Sequence, residues 1–160
     1  MRTQDVKRVM QYYYEIPGML RLLEVERRDA ELVYDTRKAA GGMAGGGSLP
    51  GMPVEDAAAR AEERGVARRL GEIGVRRVIL EGDAETVRGC LDGLSGRYKR
   101  LLELRHRYRY SWGKISVSME VPDSTARHWY TRAVLCLGEA LEDVSMVDEL
   151  LGRASRARTT

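Results

Sequence analysis

His106 and His128, Cys90 and Cys136, and 24 carboxylates are the groups from which any catalysis in this sequence would have to be assembled. Acid–base chemistry needs a base within reach of a nucleophile, and metal chemistry needs a ligand cluster. The two histidines stand 22 positions apart, and the acids mostly alternate with Arg and Lys at the spacing that pairs charges along a helix surface. Cys90 and Cys136 show no Cys-x-x-Cys and no His at ligand spacing, so they read as small packed hydrophobes rather than zinc ligands. Gly-x-Ser-x-Gly and His-Glu-x-x-His are both absent. The Gly-rich run "GGMAGGGSLPGMP" lacks the Lys-Ser/Thr end that a phosphate-gripping Walker loop requires. The expectation is a protein with no catalytic residues, no metal and no cofactor.

A different set of residues has a usable pattern. Ser124, Thr125, Arg127, His128 and Arg132 gather near the start of one predicted helix, with Lys114 and Arg109 shortly before it. Residues 95–137 carry nine Lys/Arg against three acids, a net of +6, whereas 1–94 net −1 and 138–160 net −2. Short polar groups and cationic forks on the first turns of a helix are what entry into a major groove requires, and a basic block supplies phosphate attraction. These seven residues are therefore the expected contacts to double-stranded DNA, with Arg127 foremost. His106, in an Arg-rich segment, reads as surface.

The elements that would position them are all helical. The chain is 43% hydrophobic and 32% charged, has no Phe and few strand signals, and contains no apolar run long enough to span a bilayer. Its first residues lack the apolar core of an export signal, so the cytoplasm is the expected location. Val6, Val9, Met10 and Tyr13 mark a first helix, which Pro17 and Gly18 should interrupt or kink. Leu20, Leu23, Ala30 and Tyr34 mark a second, to about Lys38, with Arg27 as the one charge on that stripe. Six Gly and two Pro within 41–53 predict a hinge. Beyond it Ala59, Val66, Leu70, Ile73, Leu80, Ala84, Val87, Leu91 and Leu94 keep a heptad seam, with a break expected near Gly82. That seam predicts an antiparallel hairpin with the preceding helix, or pairing between chains. Residues 1–93 thus form an interaction and oligomerisation region, a homo-oligomer and first of all a dimer.

Residues 94–152 form the second expected domain, and 153–160 a basic flexible tail. Ser95 caps a helix whose inner positions are Tyr98, Leu101, Leu102, Arg105 and Tyr108. Ser111 caps a short one with Trp112, Ile115 and Met119 inside. Pro122 stops that helix, Asp123 offers a cap to a third, and Ala126, Trp129, Ala133 and Leu137 form its inner face.

The stretch "LLELRHRYRYSWGKISVSMEVPDSTARHWYTRAVLCLGEAL" is similar to the helix-turn-helix of sigma-factor region four. The match falls on Leu104, Arg105, Ser111, Trp112, Ile115, Met119, Val121, Thr125, Ala126, Arg127, Ala133 and Leu137. Glu120 stands where that family has a turn Gly, and Pro122 where it has a capping Ser. With "MQYYYEIPGMLRLLE", the hinge and "MPVEDAAAR" ahead of it, the chain resembles phage late-gene transcription regulators of the ArpU/RinA type. The resemblance implies an all-α fold, activation of phage late or packaging genes through upstream DNA, RNA polymerase as a further contact, and a nucleoid-associated location in the bacterial host. A small terminase subunit, or a helical protein that meets an acidic partner, is the alternative.

Overall fold

The computed structural model describes the backbone of residues 1–42 and 53–157 and the side chains of residues 1–36 and 58–157. The hinge expected at 41–53 lies, apart from its ends, outside the described residues, as do residues 158–160 of the expected tail. Every regular element among the described residues is helical: α1 (Thr3–Gly42), α2 (Pro53–Asp92), α3 (Gly96–Leu102), a π-helical segment (Glu103–Arg107), α4 (Trp112–Met119), α5 (Asp123–Glu142) and α6 (Val147–Arg156). None of these helices is long and apolar enough to cross a membrane.

Two expected interruptions do not occur. Helix α1 continues through Pro17 and α2 through Gly82. Pro removes one helical hydrogen bond and Gly costs about 1 kcal/mol against Ala. Both penalties fall beside anchored residues, buried Ile16 in one case and buried Asp83, Val87 and Leu91 in the other.

The chain forms two compact units, one of Met1–Pro17 with Glu81–Thr160 and one of Gly18–Leu80. The start of α1 and the end of α2 thus belong to one unit with the C-terminal helices. In the second unit Leu23, Ala30 and Ile73 are buried, and Glu26–Arg76 (3.6 Å) and Glu24–Arg77 (3.7 Å) pair α1 with α2. Leu22, Val25, Leu32, Val75 and Val78 of the same unit are exposed. Tyr34, expected on the inner stripe, is also exposed.

In the first unit, Val6, Val9, Met10 and Ile16 of α1, Val87 and Leu91 of α2, Leu137 and Leu141 of α5 and Leu150 of α6 are buried. Asp83 lies in this interior, accepting a hydrogen bond from Tyr12 Oη (2.7 Å) and two from Arg153 Nε and Nη2 (2.7 Å each). Arg153 thus belongs to α6, not to a loose tail; Asp148 and Glu149 at the start of α6 and Arg153 and Arg156 at its end complement its dipole.

A smaller core of Leu101, Leu104, Ile115 and Ala126 holds α3, α4 and α5 together, with Trp112, Met119, Val121, Trp129 and Tyr130 packed around it. The sequence expectation for α3 fails after Leu102. There the amide of Tyr108 donates to Glu103 O (3.2 Å) and that of Tyr110 to Leu104 O (3.0 Å), wide turns that add a residue and shift the helical phase. Leu104 therefore enters the core, while Tyr108, expected inside, is 45% exposed.

Between α4 and α5 the chain turns at Glu120, whose φ of 55° and ψ of 40° are left-handed. Val121 N donates to Ser116 O (3.1 Å) and Glu120 N to Val117 O (3.3 Å), which closes the end of α4 in a Schellman pattern. Ser116 Oγ donates to Val121 O (2.5 Å) and braces the same turn. A Cβ-bearing residue is strained at positive φ, so Glu120→Gly should raise stability by about 0.5–1 kcal/mol in a urea titration. An unchanged midpoint would mean that the turn carries no strain.

Candidate nucleic-acid interface

Helix α4 begins as expected, with Ser111 Oγ accepting from Lys114 N (3.3 Å). Helix α5 does not. Its N-cap is Pro122, and Asp123 is the first helical residue, without a side-chain capping bond. The Asp123 carboxylate instead accepts from Arg127 Nε (3.1 Å), one turn along. Pro122 reaches the extended backbone a cap needs without a donor, so the acid shifts into the first turn, where it still faces the positive helix end.

The inner face of α5 is fully apolar at Ala126, Ala133 and Leu137, all 0% exposed. Ser124, Arg127, His128 and Arg132 are exposed, and Thr125 is half-buried. Steps of three and four residues from Ser124 keep this polar set on one side of the helix. Lys114 is exposed on α4, its Nζ 3.8 Å from the centre of the Tyr110 ring. Arg127 is fixed at two points, by Asp123 and by Trp112, whose ring centre lies 5.0 Å from its guanidinium carbon. Because Nε makes the carboxylate bond, the terminal NH2 groups of the fork are not used in it. Arg109 stands apart, 76% exposed, with φ of 54° and Glu15 3.8 Å from its guanidinium.

The rest of the basic block is partly neutralised. Lys99 pairs with Asp92, and Arg100 and Arg107 both pair with Glu103. Arg97 lies over the Trp129 ring at 5.1 Å. Trp129 and Trp112 both pack against the small core, as their inner helix positions predict.

Beside Arg109 lies a cleft of about 520 Å³, which sequence reasoning did not find. Lys7 and Gln11 of α1 line it with Arg105, His106, Arg109, Trp112 and Tyr130, and no carboxylate is among these residues. Lys7 is far from this block in sequence, and Arg105 had the spacing of an inner-face residue; only the four-residue step from Arg105 to Arg109 hinted at a pair. The π-helical turn sets Arg105 half-buried, with Nη1 donating to Tyr110 O (2.8 Å) and its guanidinium carbon 4.9 Å from the Trp112 ring centre. His106, expected on the surface, is half-buried, with Nε2 3.1 Å from Tyr130 Oη.

Burial, with the Arg105 and Lys7 cations nearby, lowers the His106 pKa to about 4, so the ring is neutral at pH 7. An unfolded His titrates near 6.5, so the unfolded chain binds the extra proton as pH falls between about 6.5 and 4. Stability should fall across that window by up to about 3 kcal/mol from this group and level off below it. Melting curves at pH 7 and pH 4.5, run on wild type and His106→Gln, isolate the effect from the carboxylates. Equal pH sensitivity in the two proteins would contradict it.

No family model, curated protein or solved structure matches the chain.

Proposed function

We propose that the chain is a sequence-specific, double-stranded-DNA-binding transcription regulator, acting on phage or prophage late or packaging genes. In this reading α4, the Glu120 turn and α5 form a helix-turn-helix of the sigma region-four kind, and α5 enters the major groove. One observation carries it: Ser124, Arg127, His128 and Arg132 are exposed on one side of α5 while Ala126, Ala133 and Leu137 are buried on the other. Arg127 is the base reader, its fork oriented by Asp123 and Trp112. Lys114, Arg109 and Arg132 meet phosphates, and Ser124, Thr125 and His128 flank them.

The second unit supplies assembly. Glu24–Arg77 and Glu26–Arg76 suit a helical hairpin, and exposed Leu22, Leu32, Val75 and Val78 favour a homodimer. The same exposed residues leave room for a ring, the form expected of a packaging subunit that recognises DNA. Mass measurement on the free protein separates dimer from ring.

Selection of duplexes from a random pool, followed by anisotropy titrations, tests the reading. A palindromic consensus is expected for a dimer, with affinity falling on a log–log salt plot at a slope of about −5, for three phosphate contacts from each protomer. Arg127→Ala should cost about 1–3 kcal/mol on the selected site and little on a scrambled one. Absence of binding to any duplex at low salt would remove the proposal.

A further inference from the structure

The cleft between the start of α1 and the π-helical turn has the chemistry of an anion site. Three cations from separate segments, Lys7, Arg105 and Arg109, line it with no acid among the described lining residues. Arg105 is held in position by the Tyr110 carbonyl and the Trp112 ring, so part of its fork is pre-set. Glu15 approaches Arg109 from outside the lining, at 3.8 Å, and is the nearest recorded counter-charge. Glu15 also accepts from Gln11 Nε2 (3.1 Å), and the His106–Tyr130 pair adds neutral hydrogen-bonding groups.

We infer that this cleft binds a phosphate ester, with Lys7, Arg105 and Arg109 around the phosphate and the Trp112–Tyr130 wall against the group it carries. Arg forks match the oxygens of a phosphate, and Lys adds a point charge. The Trp112 and Tyr130 rings meet edge to face, centres 5.3 Å apart, and give the cleft an aromatic side that inorganic phosphate alone would leave uncovered. The ester has two sources, a free nucleotide or the backbone of bound DNA. The inference does not depend on α5 reading bases.

The full-length chain, wild type and Lys7→Gln, is titrated with adenosine monophosphate and, separately, with a 20-base-pair duplex, binding being followed by calorimetry. Lys7 is chosen because it is half-buried at the cleft edge of α1; Arg105→Gln is the second variant, and melting curves confirm that each is folded. Micromolar-to-millimolar binding of adenosine monophosphate, weakened about tenfold in folded Lys7→Gln, supports the site with a free nucleotide as its source. A duplex affinity lowered several-fold by the same change, with no nucleotide bound, supports the site with DNA backbone as its source. If wild type and both folded variants behave alike in both arms, the site is overturned. A chain that binds nucleotide but no duplex would keep this site while removing the proposed regulator.

Discussion

Asp83→Ala should lower the stability of the folded chain by about 3–5 kcal/mol, the usual cost of removing one partner of a buried ion pair. Asp83 is 5% exposed, and its oxygens accept from Tyr12 Oη and, bidentately, from Arg153, each at 2.7 Å. Burial, and then the neighbouring carboxylate, push the Tyr12 phenol far above its ordinary value, so it stays a donor. Without the carboxylate the Tyr12 hydroxyl is left buried with no acceptor from Asp83, and the Arg153 guanidinium, only 22% exposed, keeps only its 3.3 Å contact with Glu149. Urea titrations of Asp83→Ala, Arg153→Ala and the double variant give the coupling between them. Strong coupling is expected; additive losses below about 1 kcal/mol each would show that the pair is solvated and that α6 docks by Leu150 and Ala154 alone.

Ile115→Ala is the second large effect, at about 2–5 kcal/mol. Ile115 is fully buried among Leu101, Leu104 and Ala126, where α4 meets α3 and α5, so its loss opens a cavity at the crossing that aims α5. Val117 on the same helix is 79% exposed, and Val117→Ala should stay within about 0.5 kcal/mol. DNA affinity should fall with the melting of Ile115→Ala and not with Val117→Ala. Equal melting of the two variants would contradict the packing described for α4.

The helical class, the inner faces of α4 and α5, and the Ser111 cap were legible because each depends on residues within a turn or two. The turn at Glu120 was visible from Pro122, though its left-handed backbone is held by Ser116 and Val121 rather than by a glycine. What could not be read from spacing was whatever breaks the period or spans the chain. The π-helical turn exchanges Leu104 for Tyr108, and it carries Arg105 and His106 to the cleft. The Asp83–Arg153 pair joins residues 70 positions apart, so the residues after 152 looked like a tail. Lys7 joins the candidate site from the other end of the chain, and no local pattern connects them.

The proposed docking of the outward side of α5 on duplex DNA is tested most directly by an amide-resolved NMR titration of the full chain with a selected duplex at low salt. Shifts concentrated at residues 111–114 and 123–132, with the amides of Leu22, Leu32 and Val78 unmoved, are the expected result. Shifts absent from α5, or confined to the second unit, would contradict it.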